Sequence, residues 1–151
     1  MNSNFKELLS ALNEQEVEYL IVGGYAVIFH TEPRFTKDLD IWIKPAAENA
    51  SRLMAAFKQF GLPLIDIKEE DFATEGTQYM IGVPPVSLDF LTSLGGLKFS
   101  PCWENRVRDD IDGIPVAYLG KGDLIKSKET AGRPQDLADV RKLSGPEAPN
   151  D

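Results

Sequence analysis

The spacing of hydrophobic and polar positions along the chain predicts an α/β protein. Apolar residues recur at helical spacing in 5–15 and again in 46–60. A further helix is predicted over 25–31, directly after a pair of glycines, and two more near the C-terminus, separated near Gly132, with Asp123 as the N-cap of the first. Runs rich in β-branched and aromatic residues predict strands over 17–22, 38–43, 77–83, 86–92 and 114–118.

Length and composition indicate a single domain, predicted to span 1–145, followed by a disordered tail over 146–151. The 151 residues are 42% hydrophobic, which suffices for a buried core, and no repeat or linker divides them. Residues 62–76 are mixed and acidic, so they are predicted to form a loop with room for a short helix. The single cysteine, Cys102, excludes an internal disulfide and a multi-cysteine zinc site. No signal peptide and no membrane-spanning run are evident, so we expect a cytoplasmic protein with no membrane association.

Two aspartates interrupt the predicted strand DLDIWI. Asp38 and Asp40 are two residues apart, so their side chains project from the same face of the strand, while Leu39 and Ile41 project from the other. Two neighbouring carboxylates raise each other's pKa unless a cation offsets the repulsion. A third isolated acid, Asp89, interrupts the predicted strand VSLDFLT. Such a set favours Mg²⁺ or Mn²⁺, although acids at a solvent-exposed strand end are the plainer interpretation.

A glycine pair separates the first predicted strand from the helix that follows. Gly23 and Gly24 would let the backbone N–H groups at the start of this helix approach a phosphate closely. A simple tight turn is the alternative interpretation. The phosphate interpretation gains weight from its position, because the two acids follow on the next predicted strand.

The order strand, Gly-Gly, helix, Arg-x-Thr, Asp-x-Asp and a later strand acid resembles the nucleotidyltransferase superfamily typified by DNA polymerase β. The likeness is greatest to small bacterial members related to the AbiEii-type toxins of toxin–antitoxin systems. It rests on VGGYAVIFHTEPRFTKDLDIWI and on LIKSKETAGRPQDLADVRKL, and covers 17–143. The resemblance implies the minimal nucleotidyltransferase fold, a small twisted mixed β-sheet with helices packed against it.

The resemblance also implies roles for particular residues. Asp38, Asp40 and Asp89 would bind the metal ions, with Asp89 also the candidate base, and Lys128 would complete the catalytic set. Lys126 is the near alternative to Lys128, because successive helical residues turn by about 100° and only one of the two can face the site. The implied nucleotide-binding residues are Gly23, Gly24, Tyr25, Arg34, Thr36 and Asp136.

The expected function is transfer of a nucleoside monophosphate from an NTP such as ATP to an acceptor hydroxyl on RNA, protein or a small molecule. A formal net charge of −8 works against polyanionic partners, which would need a local basic patch or a bound cation. Tyr25 stands where catalytic members often carry a serine. A non-catalytic relative that binds nucleotide or a cognate protein in a toxin–antitoxin pair is therefore the second hypothesis.

Overall fold

A computed structural model describes residues 3–32, 36–83 and 86–145. Within these ranges, the chain forms six strands and six α-helices, as expected of an α/β protein. The helices are α1 Ser3–Glu14, α2 Gly23–His30, α3 Ala47–Phe60, α4 Phe99–Glu104, α5 Lys121–Ala131 and α6 Pro134–Ser144, with a 3-10 helix at Glu69–Ala73. The strands are β1 Tyr19–Val22, β2 Asp38–Ile43, β3 Gln78–Val83, β4 Val86–Leu91, β5 Val107–Ile111 and β6 Ile114–Tyr118.

The strands form one open mixed sheet in the order β3-β4-β2-β1-β6-β5. Two of the five strand pairs are parallel, β2 with β4 and β1 with β6. The other three are antiparallel: β1 with β2 at the centre, and β3 with β4 and β5 with β6 at the two edges. This confirms the predicted fold class. The order also places β2, which carries the acid pair, between β1 and β4 in the middle of the sheet.

One face of the sheet is covered by α1 and α3, which pack on each other. On that face the ring of Phe57 from α3 meets Phe90 of β4 edge-on, at 5.0 Å between ring centroids, and Phe90 is paired with Ile41 of β2. All three residues are fully buried. Because side chains alternate along a strand, the aspartates next to Ile41 and Phe90 must face the other side of the sheet.

The other side carries α2, α5 and α6. Helix α2 packs on β1 and β2, and the two C-terminal helices pack together and contact α2. Helix α5 ends at Ala131 and is followed by Gly132, whose φ of 67° is the left-handed conformation that glycine adopts most readily; Pro134 then opens α6. This sharp turn brings the C-terminal residues back over the sheet face that carries the acids.

Several predicted boundaries differ from the structure. Helix α2 begins at Gly23 itself, because the glycines form its first turn, and Asp123 lies within the first turn of α5, whose N-cap is Gly120. Strand β5 was not predicted, because it is an edge strand whose sequence, VRDDI, leaves most of its side chains in water and shows no apolar alternation. Helix α4 also went unpredicted, since six residues are too few for a helical period to be recognised.

Two further findings bear on the sequence predictions. None of the helices in the described ranges is long and apolar enough to cross a membrane. The tail predicted over 146–151 lies outside the described residues.

Candidate active site

The three predicted acids meet on one face of the sheet. Asp40 of β2 is paired directly with Asp89 of β4, and Asp38 is paired with Ser87, whose hydroxyl donates a hydrogen bond to it. All three aspartates line a cavity of about 390 Å³ between the sheet and the C-terminal helices. Neighbours in a parallel pair project to the same side, so the parallel register is what brings Asp89 next to Asp40.

The acids hold more negative charge than their surroundings offset. Burial first, and then the nearby Asp89 and Asp38, raise the pKa of Asp40 to about 6, although the cations Lys128 and Arg133 act to lower it. Burial also raises the pKa of Asp89, against the lowering effect of a hydrogen bond from Gln78. The site is therefore short of positive charge and suited to a cation.

The glycine pair packs the start of α2 against the acid-bearing strand. Gly23 has a φ of 66°, and a methyl group there would overlap the carboxylate of Asp40. At Gly24, a methyl carbon would lie 2.9 Å from Thr36 Oγ1. No side chain caps the N-terminus of α2, whose first N–H groups lack intrahelical partners. The glycines thus place an uncapped helix start, with its partial positive charge, beside the acids.

The predicted nucleotide-binding residues do not all reach the cavity. Gly23 lines it, and Thr36 lies against Gly24 at its edge. The ring of Tyr25 instead packs edge-on against Phe5 of α1, at 6.2 Å between centroids, and does not line the cavity. Only the backbone of Tyr25 is placed near the start of α2. Arg34 lies outside the described residues.

Lys128, and not Lys126, faces the cavity. The Lys128 ammonium lies 3.4 Å from Asp136 Oδ1 and 3.2 Å from Asp139 Oδ2, and its side chain is only 12% exposed. Lys126 is exposed and borders a separate shallow depression beside Gly96. The rotation of α5 is therefore the one that its sequence predicts, because buried Leu124 shares the face of Lys128.

Asp136 holds the cations of the cavity wall. It accepts a hydrogen bond from Arg133 Nε at 2.7 Å, and a second from the Arg133 backbone N–H at 3.2 Å, which caps the start of α6. The hydrogen bond from Arg133, ahead of other effects, lowers the pKa of Asp136. Both oxygens are thus engaged by Arg133 and Lys128, so the predicted direct contact of Asp136 with nucleotide would compete with these bonds.

Three residues of the site were missed by the sequence analysis: Arg133, Asp139 and Gln78. Arg133 lines the cavity, and Asp139 is fully buried against Lys128. Both belong to the C-terminal segment that carries the resemblance. Asp139 also lies three residues after Asp136, on the same helical face, so the sequence could have predicted that it faces the site. No local signal marked Gln78, which reaches the site only through the pairing of β3 with β4.

The donor set fits a divalent ion shared with a substrate. Among the described residues, no three His, Cys, Asp or Glu side chains are arranged to hold a metal ion by themselves. Mg²⁺ seldom needs such a cage, since one or two carboxylates and substrate phosphates usually suffice. Asp40 lacks full charge compensation, and Asp89 Oδ1 is buried without a hydrogen-bond partner. Both are oxygen donors that a cation bound with a nucleotide would satisfy.

Comparison with known proteins identifies the family of this chain. Residues 2–144 match the family model described as nucleotidyltransferase of unknown function (DUF6036). No curated protein matches the chain in sequence.

Solved structures show the same fold at low sequence identity. The lincosamide antibiotic adenylyltransferase LnuA, with lincomycin bound, is 13% identical, with a TM-score of 0.60 over 95% of this chain and 96% of that one. ANT(2")-Ia, in complex with adenylyl-2"-tobramycin, is 16% identical, with a TM-score of 0.59 over 93% and 86% of the two chains. A Thermotoga maritima protein assigned as a nucleotidyltransferase is 12% identical, with a TM-score of 0.60 over 91% and 88%.

Proposed function

We propose a function for this chain from the premise that it belongs to the nucleotidyltransferase family whose model it matches. It transfers a nucleoside monophosphate from an NTP to an acceptor hydroxyl, with the help of a divalent metal ion. The observation that carries the proposal is the cavity in which three carboxylates, the uncapped start of α2 and the cations Lys128 and Arg133 meet. Phosphoryl-type transfer depends on this combination of positioning and charge neutralisation.

The position of each residue in the cavity indicates its role. Asp38, Asp40 and Asp89 would hold Mg²⁺ or Mn²⁺, which supplies charge neutralisation on the phosphates when bound. The N–H groups at Gly23 and Gly24 would bind phosphate oxygens at the start of α2. The acceptor oxygen attacks the α-phosphorus, and the bond to pyrophosphate breaks.

Two further groups would assist this step. The hydroxyl proton passes to a carboxylate, for which the resemblance names Asp89. Lys128 and Arg133, on the opposite wall, would offset the charge of the departing pyrophosphate. Asp136 and Asp139 hold the Lys128 ammonium in place for this role.

The experiment that tests the proposal is incubation of the purified protein with each labelled NTP, Mg²⁺ and a cell extract. We expect pyrophosphate release and label on an acceptor, both abolished in Asp38→Asn/Asp40→Asn. The matched control is Asp66→Asn/Asp71→Asn, which neutralises two exposed acids that do not line the cavity. Transfer by the first double variant at the unaltered rate would show that the metal assignment is wrong.

The acceptor class follows from charge. The formal net charge of −8 works against RNA, which leaves proteins and small hydroxylated molecules as the better candidates. One protein of similar fold is described as a lincosamide antibiotic adenylyltransferase, and another is described in complex with adenylyl-2"-tobramycin. ATP and small polyhydroxylated compounds are therefore the first substrates to test. We also propose a cytoplasmic location, because NTPs and Mg²⁺ are abundant there.

A nucleotide-binding, non-catalytic role is the second candidate, and Tyr25 favours it. Its ring is packed against Phe5, so the first turn of α2 presents no side-chain hydroxyl to a phosphate. Such a protein could act with a cognate partner in a toxin–antitoxin pair, as the AbiEii resemblance implies. Binding of NTP without any transfer, together with co-purification of the product of a neighbouring gene, would support this role over catalysis.

A further inference from the structure

Gln78 lies on the outer edge of the sheet and makes one specific contact inward. It belongs to β3, which pairs only with β4 in the described sheet. Its partner across the strands is Leu91, while Met80, two residues on, is paired with Asp89. Gln78 therefore projects from the face that carries Asp89 and sits diagonally across from it, within reach of a long side chain.

The contact engages one of the two carboxylate oxygens of Asp89. Gln78 Nε2 donates to Asp89 Oδ2 at 2.9 Å, whereas Asp89 Oδ1 is buried with no hydrogen-bond partner among the described residues. Asp89 is only 8% exposed and lines the cavity. A carboxylate held at one oxygen, with the other buried and unpartnered, has a defined orientation and one unsatisfied acceptor.

This arrangement differs from that of the other two acids. Asp38 accepts a hydrogen bond from Ser87, its partner on the neighbouring strand. Asp40 has the two other acids and the cations of the opposite wall around it. Asp89 alone of the three is oriented from the edge strand. Gln78 is exposed and could bond to water instead. Its inward conformation is explained by the hydrogen bond to the Asp89 carboxylate, because a bond to a charged acceptor is stronger than one to a neutral acceptor.

We propose that Gln78 is a positioning residue that orients the Asp89 carboxylate so that Oδ1 faces a divalent ion bound with the nucleotide. The inference rests on the proposed function for the presence of that ion. Partners that hydrogen-bond a metal-ligating carboxylate typically contribute 10–100-fold to metal affinity or activity. The effect passes through Asp89, because the Gln78 amide donates to Asp89 Oδ2.

The test measures metal binding separately from turnover. Mn²⁺ affinity is determined by electron paramagnetic resonance on the full chain, with a non-hydrolysable ATP analogue present. Gln78→Met keeps the length of the side chain and removes the donor, and Gln78→Leu serves as a second variant should the first fold poorly. We expect Mn²⁺ affinity to fall about tenfold or more, with the melting temperature and the KM for NTP unchanged and kcat reduced.

Gln59→Met is the matched control, since Gln59 makes side-chain hydrogen bonds to Gln15 and Glu14 away from the cavity. It should bind Mn²⁺ as the unaltered protein does. Unchanged Mn²⁺ affinity in both Gln78 variants would overturn the inference, as would a failure of the unaltered chain to bind Mn²⁺ at all. Mn²⁺ binding without any NTP-dependent transfer would count against the proposed function alone, and the Gln78 variants would still decide the inference.

Discussion

Neutralising Asp40 should stabilise the protein at neutral pH when no metal is present. The folded-state pKa of Asp40 is raised from an ordinary 3.8 to about 6, first by burial and then by Asp89 and Asp38. A raised carboxyl pKa means that the folded protein holds this proton more tightly than the unfolded chain. Stability from this group is therefore greatest below about pH 4, falls as the pH rises towards 6, and is then constant.

The size of the effect follows from the shift. A pKa change of about 2 units corresponds to about 3 kcal/mol of unfolding free energy at pH 7 and above. The isosteric Asp40→Asn change removes this penalty, so it should raise the melting temperature at pH 7.5 by about 6–12 °C, given about 2–4 °C per kcal/mol for a chain of this size. Below pH 4, where Asp40 is protonated in both states, the gain should disappear.

The assay is thermal and urea unfolding from about pH 3 to pH 8 in the presence of a chelator, with Asp66→Asn as the exposed control. Adding Mg²⁺ with an NTP should stabilise the unaltered protein at pH 7.5 and should stabilise Asp40→Asn much less, because the ion replaces the missing positive charge. An Asp40→Asn variant no more stable than the unaltered protein at pH 7.5 would refute the reasoning. That result would mean that Lys128 and Arg133 already compensate the Asp40 charge.

The remaining predictions concern the helix termini around the cavity. Lys128→Ala should reduce transfer by orders of magnitude and also cost about 3–5 kcal/mol of stability, because it leaves Asp136 and Asp139 buried with less compensation. Lys126→Ala should match the unaltered protein in both rate and melting temperature, and the reverse pattern would contradict the placement of α5. Gly24→Val should weaken NTP binding by calorimetry and cost about 1–3 kcal/mol through contact with Thr36. Gly122→Val, at the equivalent second position of α5 with open space around it, is the matched control and should leave NTP binding unchanged.

Periodicity and the family resemblance together predicted much of the site. The two-residue spacing of Asp38 and Asp40 determined that they share a face, and the helical turn determined that Lys128 and Lys126 do not. The sequence also predicted the fold class, the Gly-Gly junction and the break at Gly132, each of which the structure confirms. These features depend on backbone geometry within one element or one turn, so they can be inferred without knowing what the element packs against.

Only the tertiary structure decided which elements meet. Asp89 lies beside Asp40 because β4 pairs in parallel with β2, and Gln78 reaches Asp89 because β3 pairs with β4. Tyr25 turns away from the cavity because Phe5 of α1 offers its ring a packing partner. Such contacts join residues far apart in the chain, and a local pattern specifies the face of a side chain but not the neighbour on that face. The acids were therefore predictable as a set, whereas the partners that orient them were a product of the fold.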